Sequence, residues 1–187
     1  MNSDAFVIFS VLPIMLVLVF IMIKRSNRQQ KCIAFIDGYT IPSSILEIFH
    51  QHYPYLTKEQ MQKVITGFKI FVKCHLAMNT IHILAPPIPA MPSKLVEKLW
   101  HEVSLDAFEY HQFCSKAVGY IIPYRPIEEI KEGMDVIWQY SCGIEGINEY
   151  KPKKLPLLFA IDQETTIEDG LTYDLISCGE KWGFAAI

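Results

Sequence analysis

The 187-residue chain carries no excess of basic charge: 17 Lys and Arg stand against 20 Asp and Glu, for a formal net charge of −3 and a pI near 6.1. That balance excludes the electrostatic footprint of a nucleic-acid-binding protein. The usual catalytic signatures are missing as well. There is no GxGxxG, no phosphate-binding GxxxxGK, no GxSxG and no HExxH, so the loops and helices that those patterns build are excluded. "WHEVS" has the first half of a metalloprotease helix and lacks the second histidine. Cysteine is sparse and scattered: Cys32, Cys74, Cys114, Cys142 and Cys178 are odd in number and form no CxxC. This excludes a disulfide framework and a zinc ribbon, and it fits reduced, buried thiols. The acidic stretch "IDQETTIEDG" lacks the spaced ladder of a calcium loop and reads as a solvated loop.

What the chain does have is one long apolar run. "AFVIFSVLPIMLVLVFIMI", Ala5 to Ile23, holds nineteen residues without a charge and as a helix spans about 28 Å, the hydrocarbon thickness of a bilayer. A transmembrane helix over 5–23 is therefore expected. A cleaved signal fits less well, since only Asp4 precedes the run as a charge and no small-x-small cleavage site follows. Lys24, Arg25, Arg28 and Lys31 crowd the C-terminal flank whereas "MNSD" has no basic residue. Positive flanks stay inside. The expected order is thus an extracytoplasmic N-terminus (1–4), a membrane helix (5–23), a basic juxtamembrane linker (24–40) and a cytoplasmic helical domain (41–187).

Within that domain the periodicity is helical. Ser43 or Ser44 can cap a short helix bearing Ile45, Ile48 and Phe49, stopped by Pro54. Thr57 and Gln60 have capping-box spacing ahead of Met61, Val64, Ile65, Phe68, Phe71, Val72 and Leu76, one amphipathic face. "APPIPAMP" has four prolines in eight residues and must be extended. Ser93 then sits at an N-cap. Val96, Trp100, Val103, Ala107, Tyr110, Cys114 and Ala117 follow at steps of four and three, which predicts one long helix or two joined by a slight bend, ending at Gly119. A further helix is expected from Pro126, with Ile130, Met134 and Ile137 on its stripe and Gly143 as its end. The C-terminal segment has an ambiguous apolar run and then an alternation through Leu171, Tyr173 and Leu175 that fits a short β element. The fold class is mainly α.

The stretch "AMPSKLVEKLWHEVSLDAFEYHQFCSKAVGYIIPYRP" resembles the signature of an uncharacterised bacterial family related to the conserved module of glycine-rich domain proteins: a Met-Pro-Ser turn, a Trp-His pair, Tyr-x-x-Phe-Cys and a Gly. "LPLLFAIDQETTIEDG" is similar to its second block. The resemblance implies no defined activity. Pro123 and Tyr124 stand where relatives of this kind often have a His-His pair, so a metal site built on that pair would be incomplete.

Trp100, Tyr110 and Cys114 lie on the apolar stripe, and His101, turned about 100° from Trp100, falls at its boundary. His101 and His111 are about 15 Å apart along a straight helix, too far to share a metal unless the helix breaks near Ser104 to Asp106. His111 and Cys114, at i and i+3, share a face and can offer nitrogen and thiolate to one ion. Trp100, Tyr110 and the histidines otherwise read as core anchors and hydrogen-bonded groups. The function expected from these residues is non-enzymatic: a membrane-anchored scaffold or recognition module that binds a protein partner through Trp100, His101 and Tyr110 or through the Pro-rich connection. No cofactor is expected on that reading, and no nucleic acid. The alternative is a metal-dependent enzyme holding zinc or iron with His101, His111 and Cys114. On both, the bilayer is met by residues 5–23, at the bacterial inner membrane.

Overall fold

A computed structural model describes residues 3–81, 90–127 and 133–182, of which 3–14 and 80–81 by their backbone only. Among the described residues every regular element is a helix: α1 (Ser3–Gly38), α2 (Ser43–His52), α3 (Lys58–Ile81), α4 (Lys94–Leu105), α5 (Ala107–Ala117), α6 (Met134–Glu145), α7 (Leu157–Thr165) and α8 (Leu175–Trp182). α3 is the central helix and packs against α1, α4, α6 and α7.

α3 forms where its capping box sits. Thr57 N–H donates to Gln60 Oε1 at 3.0 Å and Gln60 N–H to Thr57 Oγ1 at 3.2 Å, which satisfies two orphan donors reciprocally. Its Val64, Phe68, Phe71, Val72 and Cys74 are wholly or nearly wholly buried. Gly67 lets two neighbours approach its axis: a Cβ there would lie 2.5 Å from Ile161 Cδ1 and 2.9 Å from Val96 Cγ2. Glycine in mid-helix is intrinsically unfavourable, and close packing of α4 and α7 on α3 is what it permits.

The Ser93 cap stands, and the helix beyond it is broken. α4 ends at Leu105, Asp106 leaves the helical region, and its carboxylate accepts from Glu109 N–H at 3.1 Å to start α5. α5 closes at Val118 and Gly119, whose N–H groups both donate to Cys114 O, with Gly119 at φ +86°. A left-handed residue of this kind favours glycine.

Three expectations are revised. The basic segment 24–40 is helical to Gly38 as a continuation of α1, and its later part belongs to the domain: Ile36 is fully buried, and Phe35 and Tyr39 lie against Phe113 at ring separations of 6.0 and 4.3 Å. The β element is absent among the described residues. Residues 171–174 have no regular structure and pair with no strand; side chains take their backbone groups instead: Leu171 N–H donates to Asp162 Oδ2 at 2.9 Å and Tyr173 O accepts from Gln163 Nε2 at 3.3 Å. α6 begins only at Met134, after Gly133 in the left-handed region, and is terminated by Gly146 at φ +66° rather than by Gly143. Ile130, assigned to its stripe, lies outside the described residues.

The apolar run 5–23 falls partly on residues whose side chains are outside the described set. Among the described residues no single helix is long and apolar enough to cross a membrane; Met15–Gly38 with Ser43–His52, bent by 60°, meets that condition as a pair. Every residue from Met15 to Ile23 is exposed, by 47% to 70%.

Candidate functional site

The Met91–Cys114 stretch is mostly interior. Trp100 is 1% exposed; its indole N–H donates to Tyr110 Oη at 2.7 Å, and the Tyr110 hydroxyl donates to Ile122 O at 2.7 Å. This relay ties α4, α5 and the chain after α5 together. Burial drives the Tyr110 phenol far above its ordinary value, so it stays a neutral donor. Trp100 and Tyr110 are therefore anchors, with no face offered to a partner. His101 turns outward, 41% exposed at its side chain, with its ring 5.0 Å from that of Tyr124 and its Nδ1 3.8 Å from Glu102 Oε1. His52 from α2 meets the same Glu102 oxygen at 3.8 Å.

The helix break at Asp106 does not gather the metal set. His111 is exposed on α5 while Cys114 is fully buried in the core, so the two occupy different environments. Among the described residues no three His, Cys, Asp or Glu side chains could hold a metal ion. Nor are the thiols activated: burial pushes Cys74 and Cys142 up to about 12 and Cys178 to about 11, and raises Cys114. A thiolate nucleophile needs the opposite shift.

Two buried carboxylates organise a cleft instead. Asp162, 2% exposed, accepts from the Ser93 hydroxyl at 2.6 Å and from Lys94, Leu95 and Leu171 N–H at 2.8, 3.3 and 2.9 Å. Ser93 Oγ in turn accepts from Val96 N–H at 3.1 Å. The first three N–H groups of α4 are thus satisfied, two by a carboxylate from α7. The acidic stretch read as a solvated loop therefore begins with a core residue. Glu97, also 2% exposed, accepts from the Tyr124 hydroxyl and lies 3.3 Å from Lys98. Tyr124 thereby supplies a hydroxyl to a buried acid.

Beside them opens a cleft of about 650 Å³ between the end of α2, the start of α4 and the α7–α8 connection. His52, Tyr53, Lys94, Glu97, Lys98 and Glu168 are among its walls, with Thr166 and Asp169 on the far side. Both of the latter have positive φ, 50° and 62°. Thr166 is β-branched, so its left-handed backbone is strained, and such strain gathers at functional surfaces. Sequence periodicity does not reveal this cleft, because its walls come from three separated segments. The Pro-rich connection, the other expected docking segment, spans 85–92; its residues 85–89 lie outside the described residues, and its last three, Ala90, Met91 and Pro92, are buried.

These features define a class: a helical domain carried on the C-terminal end of a long helix, with a polar cleft of mixed charge. The chain belongs to the UCP032817-like family, whose model matches residues 31–182. The match begins in α1 just where side chains turn into the core and ends with α8. Comparison with curated proteins and with solved structures finds no match.

Proposed function

We propose that this protein is a single-pass, membrane-anchored recognition module of the bacterial inner membrane, with residues before Ala5 outside and the helical domain on the cytoplasmic face, and that it binds a protein partner at the α2/α4/α7 cleft. The observation that carries the reading is the nine-residue run Met15–Ile23, exposed throughout on a helix that continues into the domain core at Ile36. A contiguous apolar surface of this size is costly in water. The nineteen uncharged residues and the basic flank supply length and orientation. The cleft presents Lys94 and Lys98 opposite Glu168 and Asp169, charge of both signs that selects a partner by complementarity. The kinship to glycine-rich domain modules belongs to the same proposal; it rests on Met91, Pro92, Ser93, Trp100, His101, Tyr110, Phe113, Cys114 and Gly119 and brings no activity with it.

The test uses the full chain. Wild type is expected to resist alkaline carbonate extraction from membranes, and Leu16→Asp/Phe20→Asp to be released; an extractable wild type overturns the anchor. Crosslinking in native membranes is expected to trap a defined partner that Lys98→Glu loses. No specific partner, or one indifferent to Lys98→Glu, overturns recognition at the cleft.

A further inference from the structure

Where α1 leaves its apolar run and enters the domain, a second recess of about 260 Å³ is lined by Arg25, Arg28, Gln29, Cys32, Leu76, Asn79 and Val118. Arg25 and Arg28 are three residues apart and so share a face of α1. Neither forms an ion pair among the described residues, and no described Asp or Glu lines the recess. Leu76 and Val118 form an apolar floor, 6% and 2% exposed. Gly119 clears the way for the Arg28 side chain: a Cβ there would lie 2.8 Å from Arg28 Nη2. Asn79, also on the wall of the recess, is held by a 3.1 Å bond from its Nδ2 to Val118 O.

We propose that this recess binds the phosphate of an anionic phospholipid headgroup. The inference rests on the membrane-anchor reading given above. At 1.5 Å per residue Arg25 and Arg28 lie about 3 and about 8 Å beyond Ile23, and the headgroup layer on each side of the hydrocarbon is roughly 5–8 Å thick. The recess is therefore at phosphate depth. Two guanidiniums give forked donors suited to phosphate oxygens, the Gln29 amide adds a neutral donor, and the apolar floor takes the adjoining glycerol. Lys24 and Lys31 complete a group of four cations next to the membrane, the density that marks anionic-lipid recognition. A zwitterionic lipid offers the same phosphate with its charge cancelled by its own ammonium, so the site selects for net charge.

Cys32 lines the recess and is partly exposed, whereas the other four cysteines are buried, which makes its alkylation a local reporter. The full chain is assembled into nanodiscs of phosphatidylcholine, with or without phosphatidylglycerol, and the rate of N-ethylmaleimide labelling at Cys32 is measured. Phosphatidylglycerol is expected to slow labelling at least threefold in wild type and in the remote control Lys153→Gln, and to have no such effect in Arg28→Gln or Arg25→Gln/Arg28→Gln. Equal rates in the two lipids overturn the proposal, as does slowing that persists in the Arg variants, which would reflect surface potential alone. Slowing by millimolar inorganic phosphate in pure phosphatidylcholine, as strong as that by the lipid, assigns the recess to a soluble phosphate and overturns the lipid. A chain that fails to enter the discs overturns the anchor itself; one that enters without lipid preference overturns only the recess.

Discussion

Ser93 donates its hydroxyl proton to Asp162 across 69 residues of chain, at 2.6 Å in the buried interior. The pair joins the turn that starts α4 to the middle of α7. The same carboxylate accepts from Leu171 N–H, two residues past Asp169 of the cleft wall.

Asp162→Ala strands the Ser93 hydroxyl and three N–H donors. An unsatisfied buried polar group costs about 1–3 kcal/mol, and some donors will find water, so a loss of about 3 kcal/mol or more is expected. Ser93→Ala removes the cap and one donor and should cost about 1–2 kcal/mol. Urea unfolding of the full chain in detergent, followed by tryptophan fluorescence, reads both. A double variant as unstable as the sum of the two singles would contradict the direct bond, because contacting residues couple.

Gly67 is expected to be irreplaceable for a packing reason. Alanine would add about 1 kcal/mol of helix propensity at an interior position, yet its methyl would press on Ile161 and on the stiff Val96 branch. Overpacking costs about 1–3 kcal/mol. Gly67→Ala should lower stability by about 1 kcal/mol net, and Gly67→Ala/Ile161→Val should recover part of it. A Gly67→Ala chain more stable than wild type would mean that α3 and α7 do not approach as closely as described.

Helices whose ends carry local signals were legible in the residue order. The Thr57–Gln60 box, the Ser93 cap and the Trp100/Tyr110/Cys114 stripe all follow from spacing. What was not legible depends on residues far apart in the chain. Asp162 sits among Gln163, Glu164, Glu168 and Asp169, and composition alone averages it with them; only the arrival of Ser93 and the start of α4 makes it a buried acceptor. The Leu171–Leu175 alternation imitates a strand because alternate residues in any extended segment face opposite ways, while no second strand exists among the described residues to pair with it. The stripe runs unbroken through Asp106 and allows one long helix or two joined by a slight bend; the Asp106 carboxylate, which caps Glu109 N–H, decides for two. The cleft needs α2, α4 and the α7–α8 connection in place before it exists at all.

Thr166 offers a test of stored strain. It ends α7 at φ 50° and ψ 42°, where a β-branched residue is disfavoured, and its side chain is exposed. Thr166→Gly should relieve the backbone and raise stability by roughly 0.5–1 kcal/mol, less the entropy that glycine returns to the unfolded chain. If the strain shapes the cleft, partner crosslinking should fall in the same variant. Lower stability in Thr166→Gly would show that its conformation is not strained.

His75 makes the fold sensitive to acid. It is 1% exposed, its Nδ1 lies 3.0 Å from Tyr120 Oη, and its Nε2 has no partner among the described residues. Burial lowers its pKa from 6.5 to about 3. Below pH 6.5 the unfolded chain binds a proton that the folded chain refuses, so stability is full above that value and falls as pH drops toward about 3. At pH 4.5 the linkage amounts to about 2.5 kcal/mol relative to pH 7. His75→Gln keeps a polar partner for Tyr120 and cannot titrate. Its urea-unfolding free energy should therefore fall less between pH 7 and 4.5 than that of wild type, by about that amount. Parallel pH profiles for the two proteins would mean that His75 is protonated in the folded state, which its apolar surroundings of Phe71 and the α3 core oppose.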